Sequence, residues 1–195
     1  MSYSTENIRN LVLAGQQGSG KTTLAEAILY HTKVISKPGN VREGNTICDY
    51  DRLEKERGFT INPSLAYTNW KEKKINSIDT PGFGDLIEKV RFVIRVVESA
   101  VIVTSPDTLS GSEIQRISRY LAEEKLPCLV FLNKVESDGV DLSTVIEGIE
   151  KQLKLKLVAL SYPFFEGKEV VGVIDVIKTK GRISSQGKVK EVDIP

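Results

Sequence analysis

One run of eight residues constrains the fold of this chain more than any other feature. Residues 15–22 read GQQGSGKT, which satisfies the pattern G-x-x-x-x-G-K-[ST]. The glycines allow backbone N–H groups to surround a phosphate, since side chains would block that approach. The lysine brings a positive charge to the phosphates, and the threonine offers a hydroxyl group to Mg²⁺. We therefore predict a nucleotide site formed by Gln17, Gly18, Ser19, Gly20, Lys21, Thr22 and Thr23.

Short apolar runs alternate with helical patterns along most of the chain. The runs at 11–14, 100–103 and 128–132 are continuous, as in parallel strands that are covered on both faces. The stretches 60–70 and 74–79 read instead as an antiparallel hairpin. This order predicts an α/β fold of the P-loop NTPase type, with a mostly parallel sheet, helices on both faces and an antiparallel hairpin at one edge.

The last part of the chain has a different character. Residues 170–177 are β-like, and residues 188–194 are expected to pair with them across a turn-rich stretch at 181–187. These segments predict the start of a small β-rich insert. We place a nucleotide-binding domain at 1–156 and part of the insert at 157–195.

A long loop and a tetrapeptide supply candidate metal and γ-phosphate contacts. Residues 33–59 have little apolar periodicity, and we interpret this loop as a switch that leads to Thr60. The tetrapeptide DTPG at 79–82 follows a predicted strand, where Asp79 can hold Mg²⁺ and the Gly82 N–H can face a γ-phosphate. Alternatively, DTPG is an ordinary turn and Thr60 only begins a strand. The prediction is that Thr22, Thr60 and Asp79 bind the metal and that Lys21, Thr60 and Gly82 are catalytic.

The run NKVE at 133–136 follows the third predicted strand, where GTP-binding P-loop proteins carry N-K-x-D. Its carboxylate can accept hydrogen bonds from the guanine N1–H and exocyclic amine, Asn133 can bridge the base and the phosphate loop, and the stem of Lys134 can lie along the ring. Because Glu136 is one methylene longer than aspartate, we expect guanine preference to fall by about 1 kcal/mol. Asp138 is an alternative acceptor, and the whole run could also be a polar surface loop.

Together these motifs resemble the G domain of bacterial elongation factor G and its paralogues. The matching stretches are GSGKTT at 18–23, Asp49 with ERGFTI at 56–61, DTPG, the NK pair and the tail at 167–176. The resemblance implies a translational GTPase that binds GTP or GDP with Mg²⁺, with the ribosome and the remaining domains of a longer chain as partners. The family's Ser-Ala-Lys loop is not visible, and Ser161 is a poor match for it. The resemblance thus implies an N-terminal fragment without the last strand and helix of its G domain.

Departures from the family pattern change the expected activity. The family's histidine after DTPG, which helps to position the attacking water, is Phe83 here, and phenylalanine can neither orient water nor accept a proton. The acidic residue that is common in the phosphate loop is Gly18, and Glu136 replaces aspartate. The only histidine, His31, is expected to be solvated at a helix end. We therefore expect slow GTP hydrolysis, as in divergent elongation-factor-G-like paralogues.

Charge and cysteine content limit the remaining function classes. Lys plus Arg total 27 and Asp plus Glu total 26, so a net charge of +1 gives no overall attraction to nucleic acid or membranes. The thiols Cys48 and Cys128 lack metal-ligand spacing, and no secretory signal or membrane-length apolar run is visible. These features predict a cytoplasmic protein with no membrane partner and no sequence-specific nucleic-acid partner. Three functions stay open: a translational GTPase switch, a GTP-responsive module that barely hydrolyses, and a P-loop ATPase or kinase.

Overall fold

The structure is a computed structural model that describes residues 3–109, 111–137, 140–167, 169–185 and 188–193. The chain divides into two compact units after Asn133. The first unit alternates strands and helices: β1 (Ile8–Ala14), α1 (Lys21–His31), α2 (Arg52–Arg57), β2 (Ser64–Trp70), β3 (Lys73–Asp79), α3 (Ile87–Ile94), β4 (Ser99–Thr104), α4 (Glu113–Glu123) and β5 (Cys128–Leu132).

The sheet of the first unit has the strand order β2-β3-β1-β4-β5. Strand β1 is parallel to β3 and β4, β4 is parallel to β5, and β2 is the antiparallel edge strand of the predicted hairpin. The apolar run of β1 is central, and Val12, Leu13 and Ala14 are fully buried. These observations confirm the predicted fold class. The register places Leu13 opposite Asp79, so β1 and β3 end side by side.

Helix α1 packs its apolar residues on this sheet. Ala25 and Leu29 of the helix contact Leu13 and Ala66 of the strands in one buried cluster. The same cluster contains Cys48, which comes from the long loop between α1 and β2. The loop is therefore anchored in the core at this residue, because exposing it would transfer apolar surface to water.

The second unit contains helix α5 (Leu142–Leu153) and a sheet of four antiparallel strands, ordered β6-β7-β8-β9. These strands are β6 (Ser161–Glu166), β7 (Glu169–Asp175), β8 (Lys180–Ser185) and β9 (Lys188–Val192). The prediction of a turn at 181–187 is wrong for residues 181–185. These residues belong to strand β8, which pairs with β7 on one side and with β9 on the other. Consequently β9 pairs with β8 and not with the 170–177 segment. Cross-strand pairing outweighs the local turn preference of these glycines and serines.

The predicted boundary between nucleotide-binding domain and insert, after residue 156, stays a prediction. The division of the structure into compact units falls earlier, after Asn133, because α5 belongs to the same unit as the second sheet. Within the described part of the chain, every helix is too short or too polar to cross a lipid bilayer.

Candidate nucleotide-binding site

The loop between β1 and α1 has the backbone that its glycines predict. Gly18 and Gly20 have φ values of +78° and +100°, a region that favours glycine. A Cβ atom at Gly20 would overlap the side-chain amide of Asn133, so the close approach requires the absence of a side chain. Ser19 is fully buried, and its Oγ has no hydrogen-bond partner among the described residues. An unpartnered buried hydroxyl beside an open glycine loop fits a ligand that accepts hydrogen bonds.

Lys21 begins helix α1 and is 5% exposed. Its Nζ donates hydrogen bonds to the carbonyl oxygens of Gly15 and Gln16, each at 2.9 Å. Burial lowers the pKa of Lys21 to about 8, while the carboxylates of Asp79 and Asp49 oppose that shift. A phosphate group at this point would stabilise the charged ammonium group further, and it would also meet the N-terminus of α1.

Asp79 ends β3 and is fully buried beside the first turn of α1. The Thr22 hydroxyl donates a hydrogen bond of 2.6 Å to its Oδ2. Burial raises the pKa of Asp79 to about 6, whereas the bond from Thr22 and the charge of Lys21 lower it. A divalent cation would favour the ionised carboxylate, so the donor set fits Mg²⁺.

Thr60 lies in the same cluster. Its Oγ1 is 3.3 Å from the Thr22 Oγ1, and it donates a hydrogen bond of 2.8 Å to Asp49. The second oxygen of Asp49 accepts a hydrogen bond from the Thr46 hydroxyl at 3.1 Å. The three residues predicted to bind metal are thus brought together, although they are far apart in the sequence. Thr23, by contrast, is exposed in the first turn of α1.

Gly82 lies against the phosphate loop. Its carbonyl oxygen accepts a 2.9 Å hydrogen bond from the Gln17 N–H. A Cβ atom at Gly82 would overlap that nitrogen and stand 2.6 Å from the Lys21 Nζ. The next residue, Phe83, contacts the ring of Phe59 at a centroid distance of 4.8 Å. The DTPG segment is therefore part of the site and not a remote turn.

Asn133 connects the end of β5 to the phosphate loop. Its Nδ2 donates a 3.0 Å hydrogen bond to the Ser19 carbonyl oxygen, and its N–H donates to the Thr104 carbonyl oxygen at 2.8 Å. Lys134 has a φ of +57°, and Glu136 is exposed. These last two residues belong to the second unit, and Asp138 lies outside the described residues.

Two buried glutamates that the sequence analysis did not select hold the long loop. On α1, the Glu26 carboxylate accepts hydrogen bonds from the N–H groups of Gly39 and Ile47, both at 2.6 Å. On α2, Glu54 forms a capping box with Asp51. The spacing D-x-x-E at 51–54 is a helix-start signal and could have revealed α2. Glu26 has no comparable signal, because a glutamate within a helix is usually exposed.

His31 is the last residue of α1 and is exposed, as expected for a solvated histidine at a helix end.

Comparison with known proteins decides the class of nucleotide. The family model of the elongation factor Tu GTP binding domain matches residues 6–191. The chain belongs to this family. The GTP-binding domain is 37% identical over 175 residues to the mitochondrial ribosome-releasing factor 2 of Bos taurus, covering 89% of this chain and 22% of that protein. It is 33% identical over 187 residues to elongation factor G of Granulibacter bethesdensis, covering 95% of this chain and 27% of that protein.

A solved structure resembles the GTP-binding domain along almost its whole length. This crystal structure of a protein from Thermus thermophilus has a TM-score of 0.89 and 29% sequence identity, and the match covers 96% of this chain and 28% of that one. The chain thus spans about a quarter of the length of the curated relatives it matches: 22% of the ribosome-releasing factor 2 and 27% of the elongation factor G named above. Family membership confirms the predicted GTP-binding domain and argues against the ATPase or kinase alternative.

Proposed function

We propose that this chain is the nucleotide-binding domain of an elongation-factor-G-like translation factor that acts at the ribosome as a GTP-dependent switch. The observation that carries the proposal is the cluster beside the buried Lys21, in which the Thr22 hydroxyl donates a hydrogen bond to Asp79 and lies 3.3 Å from the Thr60 Oγ1. It joins the phosphate loop, the end of the long loop and the DTPG segment. The relatives named ribosome-releasing factor 2 and elongation factor G support the ribosome as partner.

Within this proposal, Lys21 and the glycine loop bind the phosphates, and Thr22, Thr60 and Asp79 hold Mg²⁺. The metal ion would supply positive charge that balances the triphosphate. Thr60 and the Gly82 N–H respond to the γ-phosphate, which makes their two segments the parts that change between the GTP and GDP states. The other domains of a longer chain would receive that change. We also propose a cytoplasmic location. The relatives do not decide this point, because several of them are named as mitochondrial.

Asn133, Lys134 and Glu136 are proposed to recognise guanine. We expect the chain to prefer GTP to ATP and the Glu136→Asp variant to increase that preference about fivefold, because the shorter carboxylate needs no retraction to reach the base. Competition of GTP and ATP for a fluorescent guanine nucleotide measures both. Glu166→Asp, the same change at another exposed glutamate, is the matched control. Equal affinities of the unaltered chain for GTP and ATP would contradict guanine recognition.

Hydrolysis is proposed to be slow because Phe83 occupies the position of the family's histidine. We expect Phe83→His to accelerate single-turnover GTP hydrolysis with ribosomes by at least roughly tenfold, because positioned acid–base groups contribute roughly 10²–10⁴-fold. Phe92→His is the control, since Phe92 is an exposed residue of α3 outside the site. Phe83→His also removes the ring contact with Phe59, which could change GTP binding. Measuring the GTP dissociation constant of each variant separates this effect on binding from an effect on the hydrolysis step. A turnover of the unaltered chain equal to that of an ordinary translocase would refute slow hydrolysis.

Phe83 also favours a second candidate function, a GTP-binding regulatory module without significant hydrolysis. In that case ribosomes bind the GTP-loaded chain but do not accelerate hydrolysis. Single-turnover measurements with and without ribosomes separate the two functions.

A further inference from the structure

The residues directly after Thr60 are held by charged side chains from two different helices. Glu54 of α2 accepts hydrogen bonds from the N–H groups of Ile61 and Asn62, both at 2.9 Å. Lys89 of α3 donates hydrogen bonds to the Ile61 carbonyl oxygen at 2.9 Å and to the Asn62 Oδ1 at 2.8 Å. Hydrogen bonds to charged groups are stronger than neutral ones, so these four contacts restrict the dipeptide.

A second contact joins the same parts of the molecule. We call residues 59–62 the loop end and residues 82–89 the helix entry. The rings of Phe59 in the loop end and Phe83 in the helix entry lie 4.8 Å apart with an interplanar angle of 47°. Aromatic pairs of this kind are stabilising beyond the burial of their area. The two chain neighbours of Thr60, Phe59 and Ile61, therefore both contact the helix entry.

The position of Thr60 matters for the whole cluster. Its hydroxyl reaches Asp49 at 2.8 Å and Thr22 at 3.3 Å only while the loop end stays in place. Gly82, at the other end of the helix entry, contacts the phosphate loop through the bond from Gln17. The loop end thus lies near the start of α1 through Thr60, and the helix entry contacts the phosphate loop through Gly82. The loop end and the helix entry also contact each other.

We propose that Lys89 is a positioning residue that couples the loop end to the helix entry, so that Thr60 and Gly82 leave or approach the nucleotide together. This inference rests on the proposed function for its consequence, since the coupling would let both segments respond to one γ-phosphate. Any ligand that favours Thr60 beside Thr22 then also favours the bound position of the helix entry, because linkage is reciprocal.

Cys48 provides a natural probe of this coupling. It is 1% exposed, lies next to Asp49 and belongs to the core cluster beneath the loop. Because the side chain is 1% exposed, alkylation requires the loop to open. Burial also raises the pKa of the thiol to about 12, which lowers the fraction of reactive thiolate. Cys128 in β5 is only partly buried, so its alkylation rate is an internal reference for thiol reactivity outside the long loop.

The first experiment measures the alkylation rates of both cysteines by mass spectrometry in the nucleotide-free chain. In Lys89→Met we expect Cys48 to react at least about tenfold faster, since two hydrogen bonds to a charged group are lost, and Cys128 to react at an unchanged rate. Lys89→Arg should restore slow alkylation, because it keeps the charge and the donors. Lys125→Met, which alters an exposed lysine after α4, is the matched control.

The second experiment measures the dissociation constants of GTP and GDP for the same variants. Lys89→Met is expected to lower the ratio of GTP affinity to GDP affinity by about tenfold, and Lys89→Arg to leave that ratio unchanged. A Cys48 rate in Lys89→Met within about twofold of the unaltered chain would overturn the coupling, and so would equal acceleration of both cysteines, which indicates general destabilisation. If the unaltered chain binds neither nucleotide, the proposed function fails, yet the nucleotide-free comparison still decides the coupling.

Discussion

Replacing Lys21 with methionine is expected to weaken the binding of both GTP and GDP by about 100-fold or more, since a buried ammonium group at the phosphates contributes more than one ordinary hydrogen bond. The side chain is 5% exposed and its Nζ already lies at the mouth of the glycine loop, so a phosphate group would meet it at little cost in ordering. Equilibrium titration with fluorescent GTP and GDP measures the loss. Lys125→Met again supplies the control for removal of a lysine charge.

The same variant has a second expected property that is measured without nucleotide, the pH dependence of its stability. Burial lowers the pKa of Lys21 from 10.5 to about 8, so the folded state disfavours the charged form. Lys21 alone therefore makes the unfolded chain bind more protons between pH 8 and 10.5, which raises stability with pH. The Cys48 thiol, whose pKa is raised from 9.0 to about 12, has the opposite effect above pH 9, so the net rise is expected between pH 8 and 9. In Lys21→Met this rise should be absent, because methionine does not titrate. Urea unfolding at several pH values tests this statement, and a variant that keeps the rise between pH 8 and 9 would contradict it.

The phosphate loop and the DTPG segment could be predicted because each is contiguous in the sequence. Their meeting could be predicted as well, since parallel strands that end side by side bring the residues that follow them together. The register of β1 and β3, with Leu13 opposite Asp79, agrees with this reasoning. The contact between Asn133 and the Ser19 carbonyl oxygen follows from the same edge of the sheet.

The contacts that hold the long loop could not be predicted in this way. Glu26, Glu54 and Lys89 are ordinary residues of helices, and their charged groups find partners only through the path of the loop in space. A buried carboxylate that accepts backbone N–H groups leaves no periodic pattern in the sequence. Strand β8 was missed for a related reason, because a glycine- and serine-containing segment becomes a strand only when two neighbours pair with it.

Substituting alanine for Gly82 is expected to lower the affinity for GTP much more than the affinity for GDP. The new Cβ would overlap the Gln17 backbone nitrogen and stand 2.7 Å from the Gln16 carbonyl carbon, so the DTPG segment must move away from the phosphate loop. Overpacking of this kind typically costs about 1–3 kcal/mol, equivalent to a loss of GTP affinity of roughly 5- to 150-fold if the bound position bears the cost. GDP has no γ-phosphate for Gly82 to meet and should lose less. Titration with GDP and a slowly hydrolysed GTP analogue measures the difference.

Gly84→Ala is the matched control, since Gly84 lies in the same segment and neither glycine has a positive φ. A Cβ atom at Gly84 would meet only the end of the Glu113 side chain, with its Oε1 at 3.0 Å, and such a flexible side chain can move aside. The two variants remove the same backbone freedom from the same segment, so they differ mainly in the contact with the phosphate loop. If both lose GTP equally, flexibility of the segment is the cause and not its close approach. If only Gly82→Ala loses GTP affinity, the distinction between GTP and GDP depends on the absence of a Cβ atom at residue 82, which allows the close contact with the phosphate loop.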